Sequence, residues 1–559
     1  MRGARAPERC DCVDSRPLQG GRVAPVIVLS AVVAVAIPST ASAARFTYGV
    51  TAGEITSKSA RIWAHATKKG RVKAEVAKDK RFRKLEDKAN VKAKRSKDFT
   101  VQKTMRGLRP GRKHYYRFCK GKKCSERGTF ETAPKPKSSK TIRFAYSGDT
   151  DANPTAGETE PFWGHMLAFK SMLSEHNDFN IHLGDTIYTD SEVPEPGPFA
   201  LTRAQKWAKY KLNLGEPNLT RLRKSAGFYS HWDDHEFIDD FSPNQDTFTP
   251  TDPPDPITLD GEKLYEAGQR AFRDYAPVTF SKKEGIYRTF RWGKNLELFF
   301  LDERSFRSAE AWVGGACDNP ATGAPDIVPT LPQSTRNFFA ALDPSLAEPV
   351  SKACKDAIND PNQTMLGKRQ YKRFIDDVDS SKARWKLVIN EVPIQELFAP
   401  GSLYDDWGGY AFERVKLLEE LMSRGVNHLA FLTTDTHGAF ENVVRLRTFA
   451  DEVAPSNAPA QPQDTPYHDH LIGPVATKSF WQEIDDFTGA RGTGELVSEL
   501  FFAPDPPAGV GVSCDQGGVN TYAEVTVKKQ SVTIEYKDEN GGPVLDTSGN
   551  QCGPYVISG

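Results

Sequence analysis

No Cys-x-x-Cys pair occurs in the 559 residues, so the close thiolate pairs of a structural zinc site are missing. No stretch beyond the N-terminal segment is apolar enough to span a bilayer, which excludes a chain built around membrane helices. Internal repeats are absent, and with them the solenoid architectures. The N-terminal segment has no adjacent arginine pair, so nothing there points to an export route for folded proteins. Cysteine is scarce at eight residues, and Cys10 and Cys12 fall in a segment that reads as removable.

That segment, residues 1–43, reads as a secretory signal. Arg2, Arg5, Arg9, Arg16 and Arg22 precede an apolar run from Val23 to Ile37, and Ala41-Ser42-Ala43 supplies small residues for cleavage. An uncleaved anchor is the alternative. Export implies an oxidising compartment, where the six remaining cysteines are expected to form disulfides. The pairs closest in sequence are Cys119 with Cys124, Cys317 with Cys354 and Cys514 with Cys552, although spacing alone does not fix connectivity.

Hydrophobic residues at 38% and charged residues at 26% suit a globular protein with a sizeable core, and the length calls for two or three domains. The near-neutral total hides an asymmetry. Residues 45–140 hold 30 Lys and Arg against 8 Asp and Glu, a surplus of 22 positive charges, whereas residues 141–559 carry a net −23. A basic module is joined to an acidic one. The surplus serves either as a solvated face that balances the acidic part, or as an attractor for an anionic polymer, a lipid surface or nucleic acid. Charge reversal across residues 92–97 separates the two.

Residues 44–134 show short stretches of period-2 alternation with turn residues between them, as in Ser59–His65 and His114–Phe118, which predicts a small all-β sandwich of immunoglobulin or fibronectin type. A Pro-Lys linker at 134–140 follows. From 141 to 559 strands alternate with helices, which predicts an α/β domain of two packed sheets with helices outside. Helices are expected over 161–174, 201–212, 262–275 and 412–424, a strand–turn–strand over 284–304, a strand over 383–394, and a hairpin over 521–536. Residues 310–365 read as a surface excursion, and order weakens after Phe440.

Four blocks in this second part share one build, an apolar run that ends by delivering Asp or His. They are Arg143–Asp151, Phe179–Tyr188, Trp232–Glu236 and Leu429–His437. A carboxylate just past a strand end sits where open α/β sheets bind ligands. Together they offer Asp149, Asp151, Asp185, Tyr188, Asp234, His235, Asp435 and His437, with Asn390 from another strand end as a further ligand candidate. This set is dominated by oxygen, which suits hard cations. So many carboxylates in one cleft would repel one another without them. His165, His176 and His182 are off-motif, and His65 and His114 lie in the sandwich, so these are read as structural.

The motifs Gly184-Asp185-Thr186-Ile187-Tyr188, Trp232-Asp233-Asp234-His235-Glu236, Leu301–Arg307 and Asp435-Thr436-His437 resemble the PhoD-like alkaline phosphatases and phosphodiesterases, within the wider calcineurin-like metallophosphoesterases. The resemblance covers most of the chain and implies a metallophosphoesterase-type fold. It also implies a site with Fe³⁺ and Ca²⁺, in which Asp185 bridges metals, Tyr188 ligates iron, Asp234 takes a metal-binding position, and Asp435 and His437 close the site. His235 stands near the leaving group, and Arg304 is expected to contact phosphate, with an Asp302–Arg304 structural pair as the alternative. Many members carry a cysteine in the first block; here it reads Ser147-Gly148-Asp149-Thr150-Asp151, so an all-oxygen Mn²⁺ or Mg²⁺ pair is the alternative. The implied reaction is hydrolysis of phosphomonoesters or phosphodiesters by metal-activated water. A phospholipase D-like or wall-polymer diesterase is a variant of that reading. An inactive, surface-attached polyanion binder is the reading from another class. The protein is expected to be exported, to insert in no membrane and to act as a monomer.

Overall fold

Val, Ala and aromatic residues at alternating positions open the described chain. The computed structural model describes residues 45–193, 199–248, 258–399 and 404–559, and the expected export signal lies outside them. The first strands are β1 (Phe46–Gly53), β2 (Ser59–Ala66), β3 (Gly70–Ala77), β4 (Leu85–Ala93), β5 (Thr100–Arg106), β6 (Lys113–Lys120), β7 (Lys123–Cys124) and β8 (Gly128–Glu131). All pair antiparallel, in sheets ordered β1-β2-β5 and β4-β3-β6-β7, with β8 also on β6. In β3, Val72, Ala74 and Val76 are buried while Arg71 and Lys73 face out. The period of two therefore puts the basic surplus on the solvent side.

The α/β part begins with β9 (Ile142–Ser147), α1 (Leu167–Ser174), β10 (Phe179–Leu183), α2 (Arg203–Asn213), α3 (Pro217–Ser225) and β11 (Gly227–His231). A ribbon of β12 (Thr247–Phe248) with β13 (Thr258–Leu259) precedes α4 (Gly261–Tyr275). Next come the hairpin of β14 (Arg288–Trp292) and β15 (Leu296–Phe300), then α5 (Gln333–Phe339), α6 (Lys352–Ile358), α7 (Gly367–Ser380) and β16 (Trp385–Asn390). The chain continues through α8 (Ala411–Ser423), β17 (Leu429–Thr433), β18 (Ala439–Arg447), β19 (Gln463–Leu471), α9 (Phe480–Thr488) and α10 (Thr493–Val497). It ends with β20 (Cys514–Gln516), β21 (Thr521–Val527), β22 (Ser531–Asp538) and β23 (Tyr555–Ser558).

These strands form a six-stranded sheet, β11-β10-β9-β21-β22-β23, and a seven-stranded sheet, β14-β15-β16-β17-β19-β18-β20. Their inner faces share one apolar cluster: Phe179, Ile181 and Leu183 from β10 meet Leu298, Phe300, Leu387, Ile389 and Leu432 from the other sheet. The intervening residues face outward under helices. Ala145 and Phe228 pack with α1–α4 through Phe169, Tyr210, Leu219 and Phe272. Phe299, Val388 and Phe431 pack with α7 and α8 through Phe374, Leu417 and Leu421. Strands covered on both faces read as continuous apolar runs, which is why β10 and β17 are legible in the sequence. β9, β10 and β11 run parallel, as do β15, β16 and β17. Each set thus ends on one edge of its sheet.

Several expected elements shift. The helix expected from Pro161 starts at Leu167, because Gly164 and Met166 adopt left-handed backbone that ends any helix there. The expected excursion at 310–365 contains α5 and α6 and a buried Arg336–Asp326 pair at 2.7 Å. The chain beyond Phe440 is ordered, and β18 and β19 pair with each other inside the seven-stranded sheet. Their charged residues are paired across the strands: Arg445 with Asp464 at 3.0 Å and His468 with Glu441 at 2.6 Å. Those charges hid the strands from a hydropathy pattern. The predicted C-terminal hairpin is β21–β22, and β21 lies against β9 in the six-stranded sheet. Disulfides join Cys119–Cys124, Cys317–Cys354 and Cys514–Cys552.

Candidate metal centre

The parallel strands carry the four blocks to one place. β9 ends before Asp149, β10 before Asp185, β11 before Asp233 and Asp234, and β17 before Asp435 and His437. Asp149, Asp185, Asp435 and His437 all have positive φ, at 62°, 47°, 71° and 55°. For residues other than glycine that backbone is disfavoured, and it clusters at functional sites. Gly184 makes the convergence possible: a Cβ there would stand 2.6 Å from the Cβ of Asp233.

One oxygen or imidazole nitrogen each from Asp149, Asp185 and His437 lie within 4.8 Å of one another, and so do those of Asp185, Asp234 and His235. Asp233, Asp234 and Asp435 form a third such group, and Asp234, Asp239 and Asp240 a fourth. Asp185 and Asp234 each belong to more than one group. Asp149 is fully buried and neither of its carboxylate oxygens has a hydrogen-bond partner. Gly473 packs closely against it, since a Cβ there would meet Asp149 Oδ2 at 2.3 Å. An orphaned buried carboxylate facing other carboxylates is costly unless a cation compensates it. Burial pushes Asp149 up to about 7 and holds Asp185, crowded also by Asp234, well above the usual carboxylate range. The residues therefore fit hard or borderline cations. All six described cysteines are in disulfides, so no thiolate among the described residues is left to hold an ion.

Both histidines are anchored by carboxylates. His437 Nδ1 is 2.6 Å from Glu483 of α9, and its Nε2 is 2.8 Å from the Tyr188 hydroxyl. His235 Nδ1 is 2.7 Å from Asp190, and its ring lies 4.0 Å from that of Tyr188. A carboxylate on one ring nitrogen fixes the tautomer and aims the other nitrogen. Burial opposes charge on His235, but Asp190, Asp234 and Asp185 outweigh it and hold the imidazolium well above its ordinary range.

Arg304 is fully buried among carboxylates. Its Nε meets Asp233 and its Nη1 meets Asp405, each at 2.5 Å. Its Nη2 has no hydrogen-bond partner and lies 3.8 Å from Asp234 and 3.7 Å from Asp435. Asp302 instead accepts from Trp232 Nε1 and from the backbone of Ile286 and Ser305. Asp151 lines the same cleft but is held by Ser191 and Asn153, and it stands in none of the four groups. Asn390, at the end of β16, is buried and donates its amide to the Val392 carbonyl, while its Oδ1 is unpartnered.

Several residues that matter here carry no ligand motif. Glu236 accepts from the backbone N–H of Asp185, Thr186 and Asp233 at 3.1, 2.9 and 2.9 Å, which ties the loops after β10 and β11 together. It stands inside the Trp-Asp-Asp-His-Glu block, where its position hinted at importance but not at this task. Asp190, Asp405 and Glu483 gave no signal, because only the fold brings them to their partners. The cleft they share has a volume of about 570 Å³.

An α/β scaffold whose strand ends deliver Asp and His into one acidic cleft forms a site with the donor chemistry to hold cations. The chain belongs to the PhoD-like phosphatase family: the family model matches residues 152–491, and the model of the family's N-terminal domain matches residues 32–134. It is 24% identical over 436 residues to alkaline phosphatase D of Bacillus subtilis (strain 168), an alignment that takes in 71% of this chain. The chain spans 65% of that relative's length. The fold is similar to a solved structure of PhoD, with a TM-score of 0.66 at 19% identity, covering 92% of this chain and 90% of the other. It is also similar to purple acid phosphatase PPD1 from yellow lupin (Lupinus luteus) seeds, with a TM-score of 0.52 at 11% identity, covering 90% and 74%.

Proposed function

We infer that the chain is a metal-dependent phosphoric ester hydrolase, acting on phosphomonoesters, phosphodiesters or both. The observation that carries this is Asp149, with two orphaned carboxylate oxygens, beside Asp185 and His437. Asp149, Asp185, Asp234, Asp435, His437 and Tyr188 would hold the cations, with Asp185 and Asp234 shared between neighbouring positions. Asp151 and Asn390 stand at the margin as outer members. Fe³⁺ with Ca²⁺ is the metal set the family suggests, and the all-oxygen-and-nitrogen donor set keeps a Mn²⁺ or Mg²⁺ pair open. Such cations supply charge neutralisation and Lewis acidity at a phosphoryl group.

The residues themselves do the rest. His235, oriented by Asp190, presents Nε2 to the cleft and donates a proton to the leaving oxygen. Arg304 fixes Asp233 and Asp405; its unpartnered Nη2, between Asp234 and Asp435, would be its donor to a phosphoryl oxygen, although the side chain is fully buried and is not among the residues lining the cleft. Family membership and the two-sheet core support a metallophosphoesterase-type scaffold after an immunoglobulin-like module at 44–134. Three disulfides support export to an oxidising compartment. No helix among the described residues is long and apolar enough to cross a membrane. A monomer that meets an anionic surface through its basic sandwich completes the reading.

Hydrolysis of a chromogenic monoester and a chromogenic diester tests it. Activity is expected to vanish with chelator and in Asp185→Ala. Activity untouched by both treatments would refute the metal assignment.

A further inference from the structure

Little of the basic surplus of residues 45–140 is spent on the acidic part of the chain: Lys140, at the end of the linker, pairs with Asp178 at 2.8 Å. In the ion pairs Glu54–Arg288 at 2.8 Å, Asp98–Lys211 at 3.0 Å and Glu126–Lys224, the sandwich supplies the acid and the α/β part the base. These contacts leave the sandwich more basic than its composition. Where the two parts meet there is a groove of about 710 Å³. Its described lining holds seven Lys and Arg from distant parts of the chain, against Asp274 alone.

The one acid is already engaged: Asp274 accepts from Arg203 at 2.6 Å and from Trp207 Nε1 at 3.0 Å. Arg61 has only neutral hydrogen-bond partners, Gln102 and Thr104, and the carboxylate that acts on its charge, Glu54, is ion-paired with Arg288. Arg273 bonds only to Gln269 and lies 4.3 Å over the Phe280 ring. Lys92, Lys94 and Lys97 reach the same space from the end of β4 and the segment beyond it, and their side chains are exposed. The floor is rigid, because Gln102 donates its amide to the carbonyls of Arg273 and Ala276 at 2.7 and 3.0 Å. Like charges held together on a fixed floor make a site whose missing partner is an anion.

The catalytic cleft has the opposite character. Among its described lining residues are eleven Asp and Glu, with Lys478 and two histidines as the only basic groups, and it shares no residue with the groove. A polyanionic substrate approaching that cleft is repelled except at the cations. The groove offers the attraction that the cleft lacks.

We propose that this groove, built by Arg61, Lys92, Lys94, Lys97, Arg203 and Arg273, binds a linear polymer carrying a phosphate in every repeat and holds it on the enzyme away from the catalytic centre. It deepens the phosphoesterase reading by giving the substrate class a second anchoring point, and it rests on that reading only for the polymer's fate.

The test measures binding of fluorescent long-chain inorganic polyphosphate to the full chain in chelator, where hydrolysis plays no part. The variants are K92E/K94E/K97E and, as a milder change, Arg273→Gln. With metal restored, hydrolysis of a small chromogenic ester is measured in the same proteins. The expected result is binding weakened about tenfold or more in the triple variant and less in Arg273→Gln, with small-ester hydrolysis unchanged. Wild-type binding in both variants would overturn the proposal. So would small-ester hydrolysis lost along with binding, because the groove would then be no separate site. A preference for vesicles of phosphatidylglycerol over polyphosphate, lost in the triple variant, would assign the groove to a membrane and overturn it as well. If no ester is cleaved by any protein while binding falls as expected, the hydrolase reading fails and the groove stands.

Discussion

The hydroxyl of Tyr188 lies 2.8 Å from Nε2 of His437, a contact between residues 249 positions apart. It joins the loop after β10 on one sheet to the loop after β17 on the other. The cleft is therefore closed by side chains from both sheets, and each predicted ligand depends on that meeting of edges.

Removing the carboxylates behind the histidines should weaken the centre without dismantling it. Glu483→Gln leaves His437 in place but removes the carboxylate charge from the 2.6 Å contact that orients it, and Asp190→Asn does the same to His235. Each is expected to lower metal affinity or hydrolysis by about 10- to 100-fold. Metal titration followed by protein fluorescence, with kcat measured in parallel, checks this. Glu483→Gln should act mainly on affinity and Asp190→Asn mainly on kcat.

Glu236 should prove a scaffold residue. It accepts three backbone N–H groups, and Glu236→Ala would strand them in a buried site. A loss of about 3 kcal/mol or more is expected from unsatisfied buried donors. The urea midpoint of the metal-free protein measures it, so that loss of bound cations does not enter the comparison.

Metal-free stability should depend on pH with a definite sign. Asp149 and Asp233 are pushed up to about 7, and Glu236 to about 8, chiefly by burial. The unfolded chain releases these protons near pH 4. Between there and about pH 8 the folded state binds more protons, so stability falls as pH rises and levels off above that window. Thermal melts in chelator from pH 5 to 9 should show falling Tm. Added cation at pH 8 should restore it, because it compensates the ionised carboxylates.

The Cys514–Cys552 bridge should matter to folding rather than to chemistry. It ties β20 of the seven-stranded sheet to the segment just before β23 of the six-stranded sheet, across 38 residues. Replacing both cysteines by serine is expected to cost about 3–4 kcal/mol. The denaturant midpoint should fall while kcat of the remaining folded protein is retained.

The strand ends were the legible part of this molecule. Asp149, Asp185, Asp234 and His437 announce themselves because a doubly covered strand is a short apolar run, and polar residues at its end stand out. The disulfide partners lay in plain sequence proximity. What stayed hidden depends on tertiary approach. Glu483 sits on α9 in the stretch after Phe440 where order was expected to weaken, and Asp405 reaches Arg304 across 101 positions. Arg304 illustrates the limit: the alternative reading paired it with its neighbour Asp302, but that carboxylate is taken up by Trp232 and nearby backbone, leaving the guanidinium to Asp233 and Asp405. The strands β18 and β19 were missed for a related reason, since their charged residues find partners across the strands that only the folded sheet creates.

Elemental analysis of the folded, disulfide-intact protein, set beside that of Asp185→Ala with an unchanged circular dichroism spectrum, tests the central claim most directly. Tightly bound cations in the first that are lost from the second are predicted. A protein with no bound cation, or a variant that keeps the same metal content, would contradict it.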